Sequence, residues 1–155
     1  MNNAIQHREN ARITREQMYE NVVGQDCNVN LVTKRLLTIL GFKSKLMGTQ
    51  YLEDAIVYRY NNAFVICVGM TNRTYVAVAD MHNSTSTRVE RAIRNAIMTC
   101  FSEGALKSFN TLTQANTIRD EYAPSNGEFM CSVVNWLQLE TRLGNIKEAK
   151  VVSAD

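Results

Sequence analysis

The most informative segment of the chain is NSTSTRVERAIRNAIMTCF, from Asn83 to Phe101. At about 100° per residue, its apolar side chains fall on one side of a helix. They are Val89, Ala92, Ile93, Ala96, Ile97 and Cys100. The opposite side carries Thr87, Arg88, Arg91, Arg94 and Asn95. We therefore expect a helix that is held in a core by one face and exposes arginine side chains on the other.

The residues before this helix indicate how the chain reaches it. The segment Asn83-Ser84-Thr85-Ser86 supplies a turn and an N-cap, and TYVAVADM at 74–81 is a second segment with helical apolar spacing. A helix, a short turn and an arginine-bearing helix outline a helix-turn-helix. A simpler alternative stays open, because Glu90 and Arg94 have the i,i+4 spacing of an ordinary solvated helix face.

The arginine-bearing helix also resembles one in a known family. TRVERAIRNAI at 87–97 is similar to the recognition helix of the C-terminal DNA-binding effector domain of the sporulation master response regulator, stage 0 sporulation protein A. GTQYLEDAI at 48–56, PSNGEF at 124–129 and LQLE at 137–140 resemble further segments of that domain, in the same order. The resemblance implies an all-α, compact domain of about six to seven helices containing a helix-turn-helix.

By this resemblance, residues from about 86 to 101 form a recognition helix for the major groove of double-stranded DNA. We expect base contacts at Arg88, Glu90 and Arg91, because the planar fork of arginine can donate two hydrogen bonds to one guanine. Glu90 has two interpretations. As a DNA contact it accepts from a cytosine amine or orients a neighbouring arginine; alternatively, it caps the helix through Thr87-x-x-Glu90.

Phosphate contacts are expected around these base contacts, from hydroxyls, amides and helix-start N–H groups. The residues concerned are Ser84, Thr85, Ser86, Thr87, Arg94 and Asn95. Asn95 stands where the family has histidine. Asparagine can still make a polar contact there, but any contact that depends on the imidazole ring is lost.

The segment after the recognition helix is the one with which the family contacts the sigma subunit of RNA polymerase. Here the possible contact residues are Ser102, Glu103, Gly104, Lys107 and Ser108. Glu103 stands where the family has arginine and Lys107 where it has aspartate. These charge changes predict a lost or altered polymerase contact.

Further helices are predicted from apolar spacing, caps and stop residues. The first follows the capping box Thr14-x-x-Gln17, with Met18, Val22 and Val23 inward. The others span about 28–40, 49–61, 71–81, 105–112 and 125–143. Leu31 is expected on the buried face of its helix and Trp136 in the core. Residues 113–123 are expected to form a polar loop, and residues 1 to about 12 to be frayed or disordered. FVICV at 64–68 reads locally as a strand, but the matching family segment is helical and we predict a helix. His82 is expected to cap the helix before it.

Three regions are expected: an N-terminal extension with a short helix at 1–27, the effector domain at 28–144 and a loose tail at 145–155. A receiver domain does not fit before residue 28, so a standalone effector domain is expected.

The composition of the chain limits which functions are expected. The chain is 45% hydrophobic and 21% charged with a net charge of +2, so DNA affinity must come from local clustering of arginine. Its four cysteines lie far apart and form no C-x-x-C pair, and no catalytic or metal-binding constellation is recognisable. We expect no enzyme activity, cofactor, metal or membrane span, and a cytoplasmic, nucleoid-associated protein.

The leading hypothesis is a sequence-specific, double-stranded DNA-binding transcription regulator that acts as a homodimer or as tandem copies on DNA. The alternative is a receiver-less interaction module that binds the polymerase sigma subunit or a full-length regulator without strong DNA binding.

Overall fold

A computed structural model describes residues 14–25, 27–63 and 70–148. Within these ranges the chain forms seven α-helices and one short 3-10 helix, Ala105–Lys107. The α-helices are α1 Arg15–Val22, α2 Val29–Ile39, α3 Met47–Asn61, α4 Met70–Met81, α5 Ser86–Ser102, α6 Ser108–Thr113 and α7 Asn126–Arg142. The described residues contain no β-strand, and the prediction of a compact all-α domain is confirmed.

Helix α3 lies at the centre and packs against α2, α4, α5 and α7. Its Leu52, Ala55 and Ile56 are fully buried. Near its start, α3 approaches α5 so closely that a Cβ on Gly48 would lie 2.4 Å from the Ala92 carbonyl oxygen. The helix begins at Met47 rather than at Thr49, so Gly48 lies inside it. Only glycine fits at this position, because any Cβ would clash with α5.

Local capping signals set most of the other helix ends. Thr14 and Gln17 form the predicted capping box of α1, and Ser125 and Glu128 form that of α7. Asn28 caps α2 by accepting a hydrogen bond from the Leu31 amide at 2.9 Å. The predicted core position of Trp136 is confirmed, since this residue is buried.

Two predictions about buried surface were wrong. Leu31 is exposed, because the apolar residues of α2 cover a wider arc than the stripe that its neighbours bury. Ile118, in a stretch expected to be a polar loop, is buried. The Asn110 side chain holds it there by donating to the Ile118 carbonyl at 2.7 Å and accepting from the Ile118 amide at 2.8 Å.

The two ends of the described chain meet on the same core. Met18 and Val22 of α1 are buried. Residues 145–148 were predicted to be loose, but Ile146 is buried and the Lys147 amide donates to the Cys27 carbonyl at 3.1 Å. The expectation of a loose tail is thus wrong up to residue 148. The predictions for residues 1–12, 64–68 and 149–155 lie outside the described residues.

Candidate nucleic-acid interface

The turn between α4 and α5 fixes the start of the arginine-bearing helix. Asn83 has a φ of 51°, a left-handed conformation that asparagine tolerates. Thr85 is then extended, and its hydroxyl accepts from the Arg88 amide at 3.3 Å. Since Thr85 is the N-cap, Thr87 lies inside the first turn and cannot cap. The capping-box interpretation of Glu90 is therefore wrong, and the Glu90 side chain is exposed.

Helix α5 has one buried and one open face, as its sequence predicts. Val89, Ile93, Ile97 and Cys100 are buried. The exposed residues on the open side are Thr85, Ser86, Thr87, Arg88, Glu90, Arg91 and Asn95, while Ser84 is half-buried in the turn. In the described part of the chain, the guanidinium groups of Arg88 and Arg91 have no hydrogen-bond or ion-pair partner. Both therefore project freely into solvent.

Arg94 behaves differently from the other two arginines. It is half-buried, and its Nη1 donates to the Pro124 carbonyl oxygen at 2.6 Å while Nη2 lies 3.1 Å from the Met98 sulfur. The guanidinium group thus ties α5 to the loop before α7 instead of pairing with Glu90. Its predicted phosphate contact would have to use the remaining N–H groups.

Asn126 is a contact residue that sequence reasoning missed. Its side-chain amide donates to the Tyr75 hydroxyl at 3.0 Å and to the Glu90 carbonyl at 3.2 Å, and so joins α7 to both helices of the helix-turn-helix. Burial raises the pKa of Tyr75, so the hydroxyl stays protonated at neutral pH. A polar residue just inside a capped helix start carries no sequence signal for such a contact.

His82 holds the turn against α3. Its Nε2 lies 2.5 Å from Asp54 Oδ2, and its ring meets the Tyr51 ring edge-on at a centroid distance of 5.0 Å. The sequence predicted only a cap, because Asp54 lies 28 positions away in the chain. The contact fixes where α5 begins relative to the central helix.

The segment predicted to touch polymerase follows directly. Ser102 ends α5, Glu103 is exposed, and Gly104 turns the chain with a φ of 76°. Lys107 forms an ion pair with Asp120, and Ser108 begins α6. Lys107 is thus already partnered within the chain, whereas the exposed carboxylate of Glu103 is open to solvent.

Within residues 14–25, 27–63 and 70–148, no three His, Cys, Asp or Glu side chains lie together in a way that could hold a metal ion. None of the helices in these ranges combines the length and the hydropathy of a membrane-spanning segment.

The geometry defines a class: a helix-turn-helix domain in which α4 and α5 flank a short turn and α5 exposes unpaired arginines. The sequence profile described as the C terminal of the sporulation initiation factor Spo0A matches residues 33–137. The chain belongs to this family, and the predicted resemblance is confirmed. The family is a DNA-binding effector domain of response regulators that acts in transcription regulation and sporulation, a regulatory rather than a catalytic class.

Proposed function

We propose that this chain is a sequence-specific regulator that places the N-terminal half of α5 in the major groove of duplex DNA. The observation that carries the proposal is the pair Arg88 and Arg91, exposed one turn apart with no partner in the described part of the chain. Unpaired guanidinium groups on a helix that is fixed from behind are suited to bidentate contacts with guanine.

Helix-turn-helix domains bring the first turns of the recognition helix deepest into the groove. Arg88 and Arg91 lie in those turns and are assigned to base edges. Glu90, no longer required as a cap, is assigned to a cytosine amine or to orienting a neighbouring arginine.

Phosphate contacts are assigned to the rim of the same surface. Ser84, Thr85, Ser86 and Thr87 lie at the start of α5, where unpaired N–H groups and the helix dipole favour an anion. Asn95 is exposed farther along the helix. Arg94 adds a long-range attraction to phosphate, although two of its N–H groups are already used within the chain.

Substituting Arg91 tests the base assignment. We expect Arg91→Ala to weaken binding to a duplex that carries the family's recognition box by about 1 to 3 kcal/mol. Binding to a scrambled duplex should change much less, so the preference for the box falls. Fluorescence anisotropy titrations of both duplexes at matched salt would measure this.

Arg142→Ala is the matched control, since it removes the same charge from the exposed end of α7. It should leave the preference for the box unchanged. An equal loss for Arg91→Ala on both duplexes would assign Arg91 to phosphate instead, because phosphate contacts carry no sequence information.

A second candidate is a module that binds the polymerase sigma subunit or a full-length regulator without strong DNA binding. The exposed positions of Ser102, Glu103 and Gly104 at the end of α5 favour it. The two candidates differ in salt dependence, since phosphate binding weakens steeply as salt rises. Absence of any salt-dependent anisotropy change on either duplex would select the protein-binding module.

Nucleoid association follows from the leading proposal. Binding as a homodimer or as tandem copies is also proposed, and the stoichiometry on duplexes with one and two boxes would test it.

A further inference from the structure

A cleft of about 280 Å³ lies between the start of α3 and the middle of α5. Ala92, Ala96 and Cys100 of α5 form one wall, and Phe42 and Met47 contribute apolar surface from the other side. The volume is just below the range of about 300 to 1,000 Å³ typical of ligand pockets. A ligand for this cleft would therefore be small.

The surface of the cleft is mostly apolar, both inside and at its rim. Phe42 and Cys100 are buried, whereas Leu46 and Met47 leave 53% and 46% of their surface exposed. Exposed apolar side chains beside a concave apolar site are a common feature of binding sites. An occupant with an apolar body would remove this surface from water.

The cysteine in the wall is not a nucleophile at neutral pH. Burial raises the pKa of the Cys100 thiol to about 11, so the group stays protonated. Cys100 then acts as a small apolar side chain, and the cleft is suited to noncovalent binding.

One cationic side chain lies among the described residues that line the cleft. Lys43 is exposed and has no ion-pair partner in the described part of the chain, and Asn95 contributes a side-chain amide. Thr49 is buried, and none of the described residues hydrogen-bonds to its hydroxyl. Glu103 is the one carboxylate among the described lining residues. The unpaired ammonium group of Lys43 favours a ligand with an anionic group.

We propose that this cleft binds a small molecule with an apolar body and one carboxylate, the body between α3 and α5 and the carboxylate at Lys43. The site goes beyond the proposed DNA binding and uses neither Arg88 nor Arg91, although Asn95 lines the cleft and is also a proposed phosphate contact. Because α5 forms one wall, the ligand contacts the recognition helix on the side of Ala92 and Ala96.

Octanoate is a suitable probe, and its binding is measured on the whole chain without DNA. In a ¹H–¹⁵N NMR titration we expect saturable shifts concentrated on the amides of Gly48, Thr49 and Cys100. Octanol, which has the same apolar chain without the charge, should bind about tenfold more weakly.

Two variants locate the two ends of the ligand. Lys43→Met should weaken octanoate binding about tenfold, while Lys45→Met, a nearby exposed lysine that does not line the cleft, should leave it unchanged. Thr99→Phe fills the cleft from an exposed position and should abolish binding. Circular dichroism would confirm that each variant is folded.

Shifts that do not saturate, or that spread evenly over the surface, would overturn the proposal. Equal losses in Lys43→Met and Lys45→Met, or equal binding of octanol and octanoate, would overturn the carboxylate assignment. Binding that persists in folded Thr99→Phe would place the ligand elsewhere. Failure of the DNA-binding proposal appears separately, in the duplex titrations.

Discussion

Replacing Gly48 by alanine is expected to lower the free energy of unfolding by about 2 kcal/mol or more. The new Cβ would lie 2.4 Å from the Ala92 carbonyl oxygen and 3.2 Å from the Ala96 Cβ. Backbone atoms of a packed helix cannot rotate away as a side chain can, so α3 and α5 must separate. The better helix propensity of alanine, worth up to about 1 kcal/mol, offsets only part of this cost.

Gly127→Ala is the matched control, because Gly127 is also the second residue of its helix. Among the described residues, a Cβ there meets only the Thr71 hydroxyl oxygen, at 3.2 Å, and that side chain can turn aside. The free energy of unfolding of Gly127→Ala should be equal to that of the native chain or slightly higher. Urea unfolding of both variants measures the difference, and equal stabilities would show that the α3–α5 crossing tolerates a side chain.

The same substitution connects stability to the proposed function. Helix α5 carries Arg88 and Arg91 on its open face, and its position depends on the packing of its other face against α3. Gly48→Ala is thus expected to weaken duplex binding under conditions in which the variant remains folded. Anisotropy titrations at low temperature would test this separately from unfolding.

The helix ends could be predicted from sequence because capping is local. Thr14 with Gln17 and Ser125 with Glu128 place donors and acceptors three residues apart, and both boxes form. The faces of α5 were equally readable, since Val89 and Ile93 are buried while Arg88 and Arg91 are exposed. Periodicity and caps depend on near neighbours in the chain, which a sequence displays directly.

Polar contacts between distant segments could not be predicted. Asp54 and His82 are 28 positions apart, and Tyr75 and Asn126 are 51 positions apart. Neither pair has a periodic signature, because each forms only after the helices have packed. Arg94 is a similar case. Its position on the helical wheel predicted an exposed side chain, whereas the folded chain brings the Pro124 carbonyl within hydrogen-bond distance.

The close packing of α3 and α5 at Gly48 could not be predicted from the sequence either. A glycine at the start of a helical pattern indicates a break or a turn, and the sequence placed it before the helix. The structure puts it inside α3, where the absence of a side chain permits the crossing with α5. The packing of α3 against α5, rather than a local sequence signal, explains the glycine at position 48.

Replacing Tyr19 by phenylalanine is expected to lower the free energy of unfolding by about 1.5 to 3 kcal/mol. The Tyr19 hydroxyl donates to Glu140, a buried carboxylate that also accepts from the Asn145 side chain at 2.9 Å. Loss of the hydroxyl leaves this carboxylate without one of the two donors that the described residues supply. The contact joins α1 and residue 145 to α7, so the expected loss tests whether both ends of the described chain belong to the folded domain.

Tyr60→Phe is the control, because the Tyr60 hydroxyl contacts Thr141, the residue of α7 that follows Glu140. The Tyr60 hydroxyl lies 2.8 Å from the Thr141 hydroxyl, which in turn donates to the Leu137 carbonyl. This neutral hydrogen bond should contribute only about 0.5 to 1.5 kcal/mol. Chemical unfolding of the two variants compares the contacts directly. A smaller loss for Tyr19→Phe than for Tyr60→Phe would contradict a stabilising role for the Tyr19–Glu140 contact.

The pH dependence of stability gives the Tyr19 contact a second signature. Burial, the hydrogen bond to Glu140 and the negative charge of that group raise the pKa of Tyr19. An unfolded tyrosine loses its proton near about pH 10, where the folded state still retains it. The unfolded state then binds fewer protons, so the stabilisation is complete below about pH 10 and is lost as the pH rises above it. Unfolding measured at neutral and alkaline pH should therefore show a gap between the native chain and Tyr19→Phe that narrows at alkaline pH, and a gap that widens would contradict the assignment.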